Sequence, residues 1–285
     1  MGREAKLGLY IFLAPVLMWL LLLIVVPHID LFIMSLRGED DLGEAVWTLE
    51  NYRNFFSERI YWLTFARTAG YALLVTLLTF LITFPVAFYI TKVVSRRYSA
   101  FLTVLLLMPF WVSELVRVYG WMILLRESGV INHLLQRAGL LEHPVEMLYN
   151  DVSMVMGLVY TSMLFMVVPL ISSLEGLDDA LIEAAHDLGA SKFTIFRRIV
   201  IPYAAPGITS GAIVVFMLTL GNYLTPNLMG GKNSLWFTEQ IYNEFIASFN
   251  WNQGAAFGFL LLLLSSLIIW AGLRLSRQNL GRALA

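Results

Sequence analysis

The sequence predicts an all-α membrane protein with six transmembrane helices. Apolar residues make up 59% of its 285 positions and charged residues only 14%, which is typical of polytopic membrane proteins. A helix needs about 20 apolar residues to cross a hydrocarbon core of roughly 30 Å, so long apolar runs mark the candidate spans. Six such runs occupy most of the chain and leave no room for a soluble catalytic domain.

The candidate spans follow one another along the chain, and we interpret residues 1–285 as a single transmembrane domain. The first run is longer than the core of a usual signal peptide, and no clear small-residue cleavage site follows it, so it is interpreted as a retained helix. The third is apolar except for Glu114 and Arg117. The predicted spans are 7–27, 65–91, 101–125, 151–174, 203–225 and 253–273.

Lysine and arginine in the short loops predict the orientation, because cytoplasmic loops carry an excess of both. The loop after the second span contains Lys92, Arg96 and Arg97 and no acidic residue. Acidic residues outnumber basic ones in the first loop, 28–63. Both termini are therefore predicted to be cytoplasmic. Basic residues near the two ends support this orientation: Arg3, Lys6, Arg274, Arg277 and Arg282.

A polar segment, 177–202, separates the fourth span from the fifth and falls on the predicted cytoplasmic side. It reads LDDALIEAAHDLGASKFTIFRRIVIP. Apolar residues at helical spacing form one stripe on a short helix, and they are Leu177, Leu181, Ala184 and Leu188. Such a helix is either a surface that another protein binds or an ordinary amphipathic loop helix, and its periodicity does not separate the two.

Turn and cap residues predict where the helices of this segment begin and end. Asp178 or Asp179 can cap the first helix, and Gly189 can adopt the left-handed conformation that ends it. Ser191 can then cap a second helix, which we expect to end near Pro202 because proline disrupts a helix interior.

The string EAAHDLG, followed by IVIP, resembles the EAA motif of permease subunits from binding-protein-dependent ABC importers. Its glutamate is Glu183, its glycine Gly189, and the usual leucine before the proline is Ile201 here. The resemblance implies the MetI-like type I ABC importer permease fold, with a peripheral first helix and a cytoplasmic coupling helix that docks on an ATPase. The coupling residues that it implies are Glu183, Ala184, Ala185, His186, Asp187, Gly189, Ala190 and Ser191.

Three further strings, MPFWVSELVRVYGW, LVYTSMLFMVVPL and LMGGKNS, resemble the spermidine/putrescine-type permeases of the bacterial inner membrane. The resemblance implies a heteromeric complex with a second, related permease, an ABC ATPase dimer and an external solute-binding protein. Loops 128–146 and 232–252 would contact the binding protein. ATP and Mg would be used by the ATPase, and no cofactor by this chain. The implied solute is a polyamine or, alternatively, an opine, an amino-acid derivative or another small organic solute.

Other classes of protein fit the sequence less well. GGKNS lacks the spacing of a P-loop, and neither a His-Glu-x-x-His motif nor a cysteine is present, so no catalytic or metal site is expected. A net charge of −1 gives no case for nucleic-acid binding. A secondary transporter, the alternative class, would usually need more spans and ionisable residues buried in several of them.

Candidate pathway residues are the polar and aromatic side chains of the third and fifth spans. A charge near the midplane costs about 2.5–3.5 kcal/mol on insertion scales, so Glu114 is expected to face a cavity or a partner. Arg117, one helical turn away, could instead neutralise it. The aromatic residues could bind a cation or simply pack, and the polar end of the fifth span could be a gate or a helix end. The candidates are Trp111, Glu114, Tyr119, Asn222 and Tyr223.

Small residues in the fifth span predict close helix packing. Gly207 and Gly211 stand four positions apart, and such pairs let two membrane helices approach closely.

Overall fold

The computed structural model describes residues 3–39 and 44–275 of the chain. Arg277 and Arg282 lie outside these residues, as do the side chains of Arg3 and Lys6. The described residues contain fourteen α-helices. They are α1 (Arg3–Leu20), α2 (Val26–Ser35), α3 (Glu50–Ser57), α4 (Arg59–Phe88), α5 (Arg96–Leu107), α6 (Glu114–Leu125), α7 (Val130–Arg137), α8 (Asp151–Glu175), α9 (Asp179–Asp187), α10 (Lys192–Ile195), α11 (Ile201–Leu220), α12 (Leu224–Met229), α13 (Phe237–Ile246) and α14 (Trp251–Leu275).

A small hairpin follows α2. Strands β1 (Arg37–Glu39) and β2 (Ala45–Trp47) pair antiparallel, with Arg37 opposite Trp47. The buried side-chain amide of Asn51 donates hydrogen bonds to the backbone carbonyls of Ser35 (3.0 Å) and Arg37 (2.8 Å), which fixes the start of β1. The sequence patterns do not predict this hairpin, because its strands are too short to show an alternating pattern.

Five long helical segments in the described residues are apolar enough to cross a membrane. A sixth span is present if the bent pair of Arg96–Trp111 and Glu114–Arg137 is counted as one. The five segments are Phe12–Ser35, Arg59–Val93, Asp151–Glu175, Lys192–Leu220 and Trp251–Arg274. These segments overlap five of the six predicted spans, and the bent pair covers the remaining one.

The third span is broken rather than continuous, with an angle of 93° between its two helical parts. A 3₁₀ turn, Met108–Trp111, follows α5 and contains Pro109, and Val112 is extended. Ser113 then caps α6, because its side chain accepts a hydrogen bond from the backbone N–H of Val116. Proline and a serine cap are both typical of helix boundaries, but the composition of 101–125, which is apolar except for Glu114 and Arg117, does not by itself reveal the break.

Pro202 does not end the helix that begins in the polar segment. The helix continues from Lys192 to Leu220 through a π-helical turn, Phe196–Val200, directly before Pro202. Proline removes one N–H donor, and a local π turn relieves the clash that its ring would otherwise cause. The expectation that this helix ends near Pro202 is therefore wrong. A similar π turn, Leu21–Val25, stands before Pro27 and joins α1 to α2.

The contacts divide the chain into two compact units. The first joins the chain up to Leu63 with Gln240–Leu263, and the second joins Thr64–Glu239 with the chain from Leu264 onward. In the second unit, α8 packs along α11 and contributes most of the buried core. In the first unit, every side chain from Phe12 to Asp30 is exposed within this chain.

Gly207 and Gly211 allow α11 to lie directly against α8. A methyl group at Gly207 would stand 2.5 Å from the carbonyl oxygen of Pro169, and one at Gly211 would stand 2.7 Å from the sulfur of Met166. Both distances are shorter than van der Waals contact, so neither position has room for a side chain. The predicted packing role of the two glycines is confirmed.

Candidate functional site

A cavity of about 410 Å³ lies beside the break in the third span. Thr161, Ser162 and Phe165 contribute to its wall from the middle of α8. At 1.5 Å per residue, Thr161 is roughly 15 Å from the start of that helix, so the cavity lies near half the depth of the span. Its lining residues are Glu114, Arg117, Thr161, Ser162, Phe165, Leu218, Gly221, Asn222, Tyr223 and Leu224.

Glu114, the first residue of α6, is the centre of a polar cluster at this cavity. Its Oε1 accepts a hydrogen bond from the Asn222 side-chain amide at 2.7 Å and another from the Thr225 hydroxyl at 3.3 Å. The other end of the Asn222 side chain accepts from the backbone N–H of Thr225 at 2.9 Å. The carboxylate also stands at the N-terminal, positive end of the α6 dipole. The cluster joins α6 to the turn between α11 and α12.

Arg117 does not form the ion pair with Glu114 that the sequence suggested as an alternative. Neither of the two salt bridges between described residues involves Arg117. Its Nε and Nη1 atoms are buried and have no hydrogen-bond partner. Leaving a charged donor buried and unpaired is costly. The side chain therefore lines the cavity with unused hydrogen-bonding capacity.

The structure brings together three of the five candidate pathway residues. Glu114, Asn222 and Tyr223 line the cavity, whereas Trp111 and Tyr119 do not. The latter two are exposed within this chain, at 83% and 45%. Three hydroxyl side chains at this site are not among the candidates: Thr161 and Ser162 line the cavity, and Thr225 donates a hydrogen bond to Glu114.

The polar segment 177–202 has the predicted caps. The side chain of Asp178 accepts a hydrogen bond from the backbone N–H of Ala180 at 3.0 Å and so caps α9. Gly189 has a φ of +80°, the left-handed conformation expected after the helix. Ser191 caps α10 by accepting from the backbone N–H of Thr194 at 3.3 Å. All three predictions are confirmed.

Three residues of the predicted apolar stripe, Leu181, Ala184 and Leu188, point into solvent, whereas the fourth, Leu177, is 2% exposed and belongs to the core. Leu181 is 51% exposed and Leu188 is 88% exposed, and Ala184 lies between them on the same face. The opposite face, with Ile182 and Ala185, packs against the core. Of the predicted coupling residues, Ala185 and Ala190 are half-buried, and the exposed ones are Glu183, Ala184, His186, Asp187, Gly189 and Ser191.

A second polar cluster, which the sequence analysis missed, surrounds Asp151 at the start of α8. One carboxylate oxygen accepts from the Arg67 guanidinium and from the Ser234 hydroxyl, both at 2.5 Å. The other accepts from the Tyr71 hydroxyl at 2.8 Å. These partners come from α4 and from the loop after α12, so the cluster holds that loop against two helices beside a cavity of about 690 Å³.

The groups at these sites are suited to noncovalent recognition. In the part of the chain that the structure describes, no three histidine, aspartate or glutamate side chains converge in a way that could hold a metal ion.

The sequence matches the family described as binding-protein-dependent transport system inner membrane component over residues 82–279, which is well over half of the chain. The chain is a permease subunit of an ABC importer. It is therefore a multi-pass protein of the inner membrane and a non-catalytic subunit, since ATP hydrolysis resides in a separate ATPase subunit.

Curated relatives of this permease cover nearly its whole length. The spermidine/putrescine transport system permease protein PotB of Escherichia coli is 34% identical over 91% of this chain and 94% of its own. PotB of Haemophilus influenzae is 32% identical over 93% of this chain and 92% of its own. A shorter match, 39% over 69 residues, links 24% of the permease to 26% of PotC of Escherichia coli.

Solved structures share the fold of the permease. A bacterial ABC transporter involved in import of the acidic polysaccharide alginate aligns over 96% of both chains, with a TM-score of 0.77 and 19% identity. The MetNI methionine transporter aligns over 77% of this chain and 98% of its own, with a TM-score of 0.53 and 18% identity. The same fold therefore occurs in importers of chemically different cargo, and it does not specify the solute.

Proposed function

We propose that the permease forms, together with a second and related permease, the membrane path for a small cationic solute of the polyamine class. An external binding protein delivers the solute, and a pair of ATPase subunits, which use ATP and Mg, drives the cycle. The family match supports the importer architecture, and the full-length similarity to PotB supports the solute class. The partial similarity to PotC supports a related second permease.

The observation that carries the proposal is the position of the Glu114 carboxylate at the mid-depth cavity. Its two hydrogen-bond partners, Asn222 and Thr225, are neutral, so its negative charge is not cancelled by them. A carboxylate in such a place attracts a cation through charge-assisted hydrogen bonds. Tyr223, which also lines the cavity, adds an aromatic face with which an ammonium group can interact.

Segment 177–202 is the proposed docking surface for the ATPase. An apolar stripe on an otherwise polar loop helix is typical of helices that insert into a groove of a partner protein. Leu181 and Leu188 are exposed on this stripe, and the small Ala184 between them allows close approach. This function requires a cytoplasmic position for the segment, with both chain termini on the same side and loops 128–146 and 232–252 facing the binding protein.

The proposed mechanism uses the continuous helical segment Lys192–Leu220 as the connection between these two regions. Its first residues belong to the docking segment, and its last residues adjoin Gly221 and Asn222 at the cavity. When the ATPase pair closes, it displaces α9 together with the start of this helix. The far end then shifts the Asn222 turn relative to Glu114, which opens or closes the cavity.

A second candidate solute is one that carries both an amine and a carboxylate, such as an opine or an amino-acid derivative. The specific observation in its favour is Arg117, whose buried Nε and Nη1 lack partners at the same cavity. An arginine binds carboxylates readily, often through two hydrogen bonds. Together, Glu114 and Arg117 would match the two charges of such a solute.

Uptake into proteoliposomes that contain the two permeases and the ATPase, supplied with the loaded binding protein, tests the proposal. Spermidine, putrescine, an opine and an amino-acid derivative are compared as solutes. For a polyamine, we expect Glu114→Gln to lower uptake efficiency by about tenfold, because it removes a charge-assisted contact. The matched control is Glu58→Gln, which neutralises an exposed carboxylate in the first loop.

The same assay separates the two solute classes. Arg117→Gln leaves polyamine uptake unchanged or raises it, because it removes a positive charge from the path of a cation. If the unmodified complex transports the opine or the amino-acid derivative and Arg117→Gln abolishes that uptake, the second candidate solute replaces the polyamine. Normal uptake in the Glu114→Gln variant would contradict a role for the cavity in either case.

A further inference from the structure

Lys92 connects the cytoplasmic end of the second span to the start of α9. It lies in the π-helical turn Tyr89–Val93 that follows α4. Its ammonium group donates a hydrogen bond to the carboxylate of Asp179 at 2.9 Å and a second one to the backbone carbonyl of Leu177. The two acceptors flank Asp178, the residue that caps α9. The Lys92 side chain therefore contacts the residues on both sides of Asp178, the N-cap of α9.

The burial of Lys92 distinguishes this contact from an ordinary surface ion pair. Its side chain is only 5% exposed, whereas that of Asp179 is 69% exposed. A lysine at the edge of a bilayer normally extends its charge toward water, and a buried ammonium group is tolerated only when it is paired. Positive charge at a helix N-terminus is also unfavourable. The position of Lys92 thus depends on the two oxygen atoms that it contacts.

Other contacts join the fifth span to the turn before α9 and to α4. The hydroxyl of Tyr203 donates a hydrogen bond to the backbone carbonyl of Gly176. The ring of Phe196 contacts Phe84 at 5.5 Å and Phe88 at 6.2 Å between centroids, which packs the π turn before α11 against α4. Lys92 is the charged member of this junction, and it links α9 directly to α4.

We propose that Lys92 is a positioning residue for energy coupling, through which displacement of α9 moves the cytoplasmic end of α4. This inference rests on the docking role proposed above for segment 177–202. It adds a second mechanical route from the ATPase into the membrane, separate from the continuous helix Lys192–Leu220. Removing the contact leaves the exposed docking stripe (Leu181, Ala184 and Leu188) and the solute cavity in place, because neither Lys92 nor Asp179 belongs to them, and weakens only the transmission between them.

The test uses the full complex of two permeases and the ATPase in lipid nanodiscs. Stimulation of ATP hydrolysis by the loaded binding protein is the main measurement, and retention of the ATPase through purification is the second. We expect Lys92→Met and Asp179→Asn each to lower the stimulation by about tenfold, with the ATPase retained. Lys92→Arg keeps the positive charge and several donors, so we expect it to retain more of the stimulation than Lys92→Met does. Arg96→Met, which removes an exposed basic residue four positions later, is the matched control.

A double variant shows whether the two residues act through one contact. Lys92→Met combined with Asp179→Asn is expected to be no worse than Lys92→Met alone, because residues that act through a shared contact are not additive. Additive losses, or a Lys92→Met complex that behaves like Arg96→Met, would overturn the inference. If Lys92→Met does not fold, the exposed Asp179→Asn decides alone. Failure of the unmodified complex to retain an ATPase at all would instead overturn the docking role of the segment.

Discussion

The cavity beside Glu114 and the stripe on α9 are opposite in character. At the cavity, two charged side chains are half-buried within a membrane span, and the buried Nε and Nη1 atoms of Arg117 have no hydrogen-bond partner. On α9, apolar side chains are exposed on a polar loop, with Leu188 at 88%. Each arrangement is unfavourable for the isolated chain. The contrast fits the two proposed roles, in which a polar solute occupies the cavity and a protein covers the stripe.

The two regions also differ in how they are connected to the core. Glu114 is held by side chains from a turn, whereas the inner face of α9 packs directly on the core of the second unit through Ile182 and Ala185. A solute site that must open and close benefits from contacts that can be exchanged. A docking surface that transmits force benefits from a rigid attachment.

The largest effect is expected from placing a charge on the apolar stripe, because the charge removes the apolar character that distinguishes the stripe from the cavity. Leu188→Asp should abolish retention of the ATPase during purification and lower uptake by at least about 30-fold, as expected for a residue at the centre of an interface. Folding should be unaffected, because the side chain is 88% exposed. Leu140→Asp, at a leucine that is 71% exposed after α7, is the matched control and should retain the ATPase. Equal ATPase retention in both variants would contradict docking on this face.

A smaller effect is expected where α8 packs on α11, the helix pair that lies between the two regions. Gly207→Ala places a methyl group 2.5 Å from the Pro169 carbonyl oxygen, and the resulting strain should lower the free energy of unfolding by about 1–3 kcal/mol. Gly70→Ala is the control, because no atom lies within 4 Å of the position of its new methyl group. Thermal unfolding in detergent measures both, and a Gly207→Ala variant as stable as Gly70→Ala would contradict the close packing.

The smallest effect is expected at Glu244, a partly buried carboxyl group that lies outside both the cavity and the stripe. Burial raises the pKa of Glu244 above its ordinary value of 4.5, and a hydrogen bond from the Tyr61 hydroxyl opposes only part of this rise. The folded chain therefore keeps this proton at pH values where the unfolded chain has lost it. The contribution of the group to stability is present below pH 4.5 and is lost as the pH rises through the folded pKa.

Glu244→Gln removes this dependence, because the amide stays neutral at every pH. The variant should have a slightly higher Tm than the unmodified protein at pH 7 and no advantage at pH 4.5. A constant difference between the two proteins over this range would show that the carboxyl group does not titrate as described.

Much of the fold follows from features that are local in the sequence. Apolar runs of sufficient length predict the spans, and Asp178, Gly189 and Ser191 end or begin helices through hydrogen bonds within a few residues of themselves. The exception is the break before α6. Its signals, Pro109 and Ser113, are also local, but they lie inside a run that is long enough and apolar enough, apart from Glu114 and Arg117, to predict one continuous span.

The candidate site was less predictable because its contacts are long-range. Glu114 stands out in the sequence as a charge within a span, but its partners Asn222 and Thr225 are more than 100 positions away. Arg117 stands one turn from Glu114, and sequence spacing alone favoured a pair that the structure does not form. The Asp151 cluster likewise joins α4, α8 and the loop after α12, and no spacing rule connects these segments.

The exposure of α1 determines how tolerant its sequence is to mutation. Because every side chain from Phe12 to Asp30 is exposed within this chain, no neighbour in the chain specifies their individual shapes. Leucine, isoleucine, valine and phenylalanine are then nearly interchangeable there, since lipid selects for hydrophobicity rather than for fit. We therefore expect exchanges among apolar residues to be tolerated better from Phe12 to Asp30 than in α8 and α11, whose side chains interlock.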